Sequence, residues 1–255
     1  MRGKTIREVE LRAVRLRSPV PNGLTALLRH SEVTGVGRKG KYLLIRLDRG
    51  TWLVHLGMSG RFLLGAPETT KDEKHDHLIL RTSCGLTVRY NDFRRFGTFA
   101  ICPSEATHPL LSRLGIDAIS NDLNGDVLLA SLLKRNTPIK AALLNQRLIA
   151  GLGNIYACES LYWADIHPKR PSSSLTPREA HKLSVAIHNV LITAIEAGGA
   201  TLPDYAHTSG ALGNFHRSFA VFQRHGSRCP RCDRACVQKT TIAGRTTYHC
   251  ATHQM

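Results

Sequence analysis

At 255 residues, with 42% hydrophobic and 21% charged side chains, the chain has an ordinary globular composition and room for two moderate domains. No apolar run of roughly 18 residues occurs, and no apolar stretch follows Met1-Arg2-Gly3-Lys4, so neither a membrane span nor a secretory leader is expected. Thirty-five Lys and Arg against nineteen Asp and Glu leave a net charge of +16, of which residues 1–50 carry +8 and residues 215–255 carry +6. Two basic ends around a near-neutral middle point to a polyanionic partner, because phosphate neutralisation supplies most nucleic-acid affinity. Seven cysteines, an odd number with three of them scattered before residue 225, argue against a disulfide framework and for a reducing, cytoplasmic setting.

The first third reads as β. Lys41–Leu47 and Thr51–Leu56 flank the turn Asp48-Arg49-Gly50, and His77–Thr82 and Leu86–Tyr90 flank Ser83-Cys84-Gly85. Short strands at this spacing predict an antiparallel sandwich or barrel. Gly65–Lys74 reads as a loop. Polar residues between Gly115 and Gly125 mark a boundary, after which helical spacing takes over. Helices are predicted at about Pro138–Gln146, Asn154–Ala164 and Pro177–Ala197. The last has Thr176-Pro177-Arg178-Glu179 as N-cap, first-turn proline and capping-box Glu, and Gly198-Gly199 as its stop. Gly199–Phe222 reads as a long functional loop.

Three constellations carry chemistry. Cys229-Pro-Arg-Cys232 and Cys250-Ala-Thr-His253, seventeen residues apart, have the spacing of a zinc finger built on a β-hairpin. A CxxC redox pair is the alternative, and Cys236 and His249 are spare ligands if His253 is not the fourth. Arg245 would project from the hairpin. Asn154 opens a helix after Gly151-Leu152-Gly153, where free N–H groups suit a phosphate; plain turn chemistry gives the same pattern. His55-Leu-Gly-Met58-Ser-Gly60 and Asp92-Phe-Arg94-Arg95-Phe96-Gly97 complete the set. Met58 or Phe96 alone would be read as core, but adjacent arginines beside an aromatic suit a DNA surface.

These motifs, with Lys74-His75-Asp76-His77, Glu159-Ser160 and Ile166-His167-Pro168, occur in the order found in the formamidopyrimidine-DNA glycosylases. The chain resembles that family from about Gly3 to His253. The resemblance implies an α+β protein: an N-terminal antiparallel β-sandwich over residues 1–114, a linker at 115–124, a helix-two-turn-helix domain at 125–224 and a zinc finger at 225–255. It implies a monomer that excises oxidised purines from duplex DNA and cleaves the strand at the abasic site, with one structural Zn2+ on Cys229, Cys232, Cys250 and His253. Met58, Arg94 and Phe96 would fill the space left by the flipped nucleotide. Lys41 would contact the lesion and assist strand elimination, Asn154 and Arg245 would bind phosphate, and Arg245 would also act in elimination. His75 and Arg147 would add DNA contacts. Ala200–Tyr205 with Gly213–Phe215 is similar to the loop that closes over an oxidised purine, which favours the purine branch over the endonuclease VIII branch.

One departure concerns chemistry. Family members carry Pro-Glu and a helix ahead of the strand that Gly3-Lys4-Thr5-Ile6 resembles, and the proline amine attacks the sugar. No residue of this sequence matches that pair. Glu8-Val9-Glu10 superficially resembles the segment but lacks the proline. Either the start codon is misassigned or the protein is a catalytically impaired binder of damaged DNA, and the intact set of binding residues favours the misassigned start. An RNA-binding zinc-finger protein is a third reading, disfavoured by the scarcity of aromatics.

Overall fold

A computed structural model describes residues 1–66, 73–200 and 213–255. The loop read at Gly65–Lys74 therefore lies largely outside the described residues, as does the 201–212 part of the long loop. Two units emerge, one of residues 1–112 and the other of residues 113–199 with 214–255.

The first unit holds β1 (Ile6–Leu11), α1 (Leu24–Leu28), β2 (Val33–Lys39), β3 (Tyr42–Leu47), β4 (Gly50–His55), β5 (Arg61–Gly65), β6 (Asp76–Thr82), β7 (Thr87–Asn91), β8 (Thr98–Cys102) and the one-turn helix α2 (Pro109–Ser112). Two antiparallel sheets, in the orders β1-β6-β7-β5 and β2-β3-β4-β8, enclose one apolar core. Trp52 of β4 lies at its centre, edge-on to Phe99 at 5.2 Å and to Phe62 at 5.8 Å, and Tyr90 meets Phe99 at 4.7 Å. Rings from both sheets interlock in this way, so the sandwich is sealed by aromatic edges as well as by aliphatic burial. The β2–β3 hairpin turns on Gly40-Lys41, with Gly40 at φ 57, and presents Lys41 exposed at its tip.

The second unit holds β9 (Ile116–Asp117), α3 (Gly125–Leu132), α4 (Ile139–Leu143), β10 (Ile149–Ala150), α5 (Asn154–Trp163), α6 (Pro177–Glu196), β11 (Gln238–Ile242) and β12 (Arg245–His249). The stretch 115–124, polar enough to read as a linker, is built into this unit. Its β9 pairs in parallel with β10, and Ala118 and Leu123 are buried among α3, α5 and α6. Ile116, Ala118 and Leu123, apolar side chains in a polar run, pack into this core, which local polarity alone does not reveal. Around α6 the buried stripe Ala180, Leu183, Ala186, Ile187, Val190 and Ala194 follows the helical repeat.

The start of α6 is fixed by charge as well as by capping. Thr176 Oγ1 accepts from the Glu179 backbone N–H, and Glu179 returns the bond to the Thr176 N–H at 2.9 Å. The Arg170 guanidinium forks onto both Glu179 oxygens at 2.5 and 3.1 Å. That bond, ahead of the opposing effect of burial, pulls the Glu179 carboxyl down to about 2. A carboxylate held below its unfolded value stabilises the native state above that value and stops doing so as pH falls through the native one. Glu179→Gln is expected to cost about 1–2 kcal/mol near neutrality in urea unfolding. The deficit should shrink as pH falls from about 4.5 toward 2.

Candidate nucleic-acid interface and metal centre

In the first unit, two loops are stitched together over one buried carboxylate. Gly57, at φ +68, lies so close to residues 96–97 that a Cβ on it would stand 2.4 Å from the Phe96 carbonyl. Gly97 has even less room, since its Cβ would lie 1.8 Å from Tyr90 Oη. Both glycines are therefore required for the loop 55–60 to touch the loop 92–97. Beneath the contact Asp92 is fully buried and accepts from the Gly97 N–H at 2.8 Å, from Tyr90 Oη at 3.2 Å and from Ser59 Oγ. Ser59 Oγ in turn accepts from the Arg94 N–H at 3.3 Å. His55 Nδ1 accepts from the Gly57 N–H at 3.0 Å, and burial, helped by the charges of Lys41 and Arg17, lowers its pKa and keeps the imidazole neutral for that role.

On this rigid base the apolar side chains face outward. Met58 is 49% and Phe96 40% exposed, and the Arg94 guanidinium lies 4.6 Å over the Phe96 ring. Two large apolar groups held in water by a fully bonded platform are not core residues that failed to pack. His75 is half-buried, 6.4 Å from Phe93, and its carbonyl accepts from the Asp92 N–H. Ser59 and Asp92 lie within the motifs read from the sequence but take no role of their own there, because neither carries a periodic signal.

In the second unit the Gly151–Gly153 turn is pinned by Gln146, whose side chain accepts from the Gly151 N–H at 2.9 Å and donates to the Leu152 carbonyl at 3.0 Å. Gly151 takes φ 95, the left-handed region that favours glycine. α5 then opens at Asn154, whose amide donates to the Thr246 carbonyl at 2.9 Å. The same carbonyl accepts at 3.0 Å from Lys140 Nζ, which also meets Thr247 Oγ1 at 2.7 Å. Lys140 is fully buried, and that burial lowers its pKa. Two donors thus clamp the hairpin β11–β12 next to its two-residue turn, Ala243-Gly244, where both φ values are positive. Arg245 leaves the clamp exposed, as does Arg147 on its own turn. Lys140→Ala is expected to destabilise the protein by about 2–4 kcal/mol, taking the amine from Thr247 Oγ1, leaving the Thr246 carbonyl with Asn154 alone and opening a cavity. Denaturant unfolding measures the loss, and hydrogen exchange should quicken in β12 before α6.

The structure brings Cys229, Cys232, Cys250 and His253 together, with one ligand atom of each within 4.8 Å of all the others. Cys232 Sγ and Cys250 Sγ are 3.7 Å apart, and Cys229 Sγ is 3.4 Å from His253 Nδ1. Cys236 is exposed and outside the group, and His249 turns its ring to His167 at 4.7 Å. Burial pushes the Cys229 thiol up, but bonds from Tyr162 Oη and from the backbone of Arg231 and Cys232 outweigh it and bring it to about 6. Such a set can hold a metal ion. Deeper in the unit, Glu159 accepts from the backbone N–H groups of Ala220, Val221 and Phe222 at 2.8–3.0 Å and so fixes the chain entering the finger.

Both units match known protein families. Residues 1–99 match the family model described as the formamidopyrimidine-DNA glycosylase N-terminal domain, and residues 114–205 match the one described as its H2TH domain. The chain belongs to the formamidopyrimidine-DNA glycosylase family. The formamidopyrimidine-DNA glycosylase of Rhodospirillum centenum is 42% identical over 94% of this chain and 89% of its own length. Among solved structures, a Lactococcus lactis variant of this family bound to Fapy-dG-containing DNA aligns with a TM-score of 0.90 at 31% identity, covering 100% of this chain and 93% of that one. A complex of MutM with carbocyclic 8-oxo-G-containing DNA aligns with a TM-score of 0.88, also at 31% identity, over 99% and 93%.

Proposed function

We propose that this family member removes oxidised purines, 8-oxoguanine and formamidopyrimidines, from duplex DNA in base-excision repair and cleaves the strand at the resulting abasic site. The observation that carries the reading is the exposed Met58–Arg94–Phe96 cluster on its buried Asp92 platform. A base must leave the stack before its glycosidic bond can be attacked, and the gap it leaves costs a few kcal/mol of lost stacking unless filled. A thioether, a phenyl ring and a guanidinium are the right materials: two apolar groups to replace stacking, and one cation to bond the orphaned base.

The other residues take complementary parts. Lys41, an exposed amine at a hairpin tip, contacts the lesion and assists elimination. Asn154, Arg245, His75 and Arg147 bind the backbone; Arg245, held by the clamp on Thr246, also serves the elimination step. Zn2+ is the metal that fits the finger: tetrahedral bonds of about 2.3 Å to sulfur and 2.0 Å to nitrogen separate ligand atoms by about 3.5–3.8 Å. The observed 3.7 Å between Cys232 Sγ and Cys250 Sγ and 3.4 Å between Cys229 Sγ and His253 Nδ1 lie close to these values, in a set whose ligand atoms all fall within 4.8 Å of one another. The ion has a structural role, closing four ligands around the base of the hairpin that carries Arg245. We further propose the division into a β-sandwich to residue 114, a connecting stretch 115–124, a helix-two-turn-helix domain at 125–224 and the finger at 225–255, in a cytoplasmic monomer. No helix among the described residues is long and apolar enough to cross a membrane.

Phe96→Ala is expected to weaken binding to a duplex carrying 8-oxoguanine more than to an intact duplex, measured by fluorescence anisotropy; equal losses would reduce Phe96 to packing. Arg245→Ala should weaken both alike and lower the salt slope by about one. On abasic DNA with borohydride, the 255-residue polypeptide is expected to bind but trap little covalent adduct, whereas one extended by the family's Pro-Glu segment should trap efficiently. Equal trapping would assign the amine to Lys41 or another lysine. Binding without trapping by either polypeptide would leave a binder in place of an enzyme.

A further inference from the structure

The metal-ligand set has one member unlike the others. A thiolate offers a single atom, but an imidazole offers two nitrogens, and a neutral ring accepts at only one of them. Something must decide which nitrogen keeps its proton. In this chain His253 points Nδ1 at Cys229 Sγ and Nε2 away from the set, 2.9 Å from Asp165 Oδ1 and, farther off, 3.4 Å from the Tyr162 carbonyl. The ring face packs on Tyr162 at 4.6 Å, and the His253 side chain is only 11% exposed.

Asp165 is itself held on every side. It follows the end of α5 at φ 63, a left-handed conformation that aspartate tolerates, and its N–H donates to the Tyr162 carbonyl at 3.2 Å. Arg231 Nη1 donates to the same Oδ1 at 2.6 Å, and Lys182 Nζ from α6 bonds Oδ2. Two fixed cations balance a carboxylate placed next to three thiol ligands, where its charge would otherwise be unwelcome. Tyr162, three residues earlier, bonds Cys229 Sγ through its hydroxyl at 3.4 Å.

We infer that Asp165 is a positioning residue for the metal centre: it accepts the Nε2–H of His253, so that the lone pair of Nδ1 is the one presented to the ion. The inference rests on the zinc reading of the finger. A carboxylate behind a ligating imidazole fixes the tautomer and ring angle and raises the ligand's basicity. Arg231 and Lys182 hold the carboxylate, Asp165 holds the ring, and the ring holds the metal.

The test is zinc affinity, measured on the full chain by competition with a chromophoric chelator. Asp165→Ala is expected to weaken zinc binding by about 10- to 100-fold, and Asp165→Asn, which keeps an acceptor oxygen, by much less. In a His253→Cys background, Asp165→Ala should leave zinc affinity unchanged, because no ring remains to be oriented. An equal loss in both backgrounds would overturn the inference and make Asp165 only an anchor for Arg231 and Lys182. No loss in the wild-type background would overturn it too while leaving the zinc reading intact, whereas wild-type protein that takes up no zinc would end both. Should His253→Cys fail to fold, 15N histidine NMR of the zinc-loaded wild type decides: Nδ1 coordinated and Nε2 protonated supports the inference, and coordination through Nε2 overturns it.

Discussion

The second unit depends on the grip of one short helix at both of its ends. α5 runs ten residues, about 15 Å. At its start Asn154 bonds the hairpin carbonyl beside Arg245; in its last turn Tyr162, and just past its end Asp165, reach the ligand set at the hairpin's base. Between them Glu159 fixes the backbone that leads into the finger. A hairpin of two five-residue strands would be marginal alone in water. Held at its turn, its base and its approach, it is tied to the helical core that α5 packs into.

The same device appears in the first unit with different parts. Asp92 plays there the role that Glu159 plays in the other: a buried carboxylate whose oxygens are taken up by N–H and O–H groups from loops. Asp76, at the start of β6, is a related case with two of its partners on β7: it is bonded to Arg89, Asn91 and the Glu73 N–H, and although burial opposes its ionisation these donors lower its pKa. Loops have few ladder bonds to give them shape. An acceptor-only group in their midst, able to take several bonds at once, supplies that shape.

How far the sequence could be read follows from what each feature rests on. The strands, the capped α6 and the glycine turn before α5 rest on local chemistry, so their signals lie within a few neighbouring residues. The ligand set rests on spacing, which narrows the candidates but leaves His253, His249 and Cys236 in competition until a fold places them. Met58 or Phe96 alone reads as core; their neighbouring arginines and the family resemblance point outward, and the structure shows both side chains exposed. Lys140 is the reverse case: a charged residue that nothing in its neighbourhood along the chain marks as buried, yet its amine is fully enclosed beneath β12. Asp165 offered nothing to read, since its partners lie 17, 66 and 88 residues away along the chain.

Because the ligands' supports come from α5 and α6, the finger is not an autonomous module. A peptide of residues 225–255 would keep all four ligands but lose Tyr162, Asp165, Lys182 and Lys140, and with them the donors and acceptor that orient the ligand set and the bonds that secure the hairpin. During synthesis α5 and α6 leave the ribosome well before Cys229 does. The helices can therefore be in place when the last ligand emerges, and the finger folds onto a template that already exists.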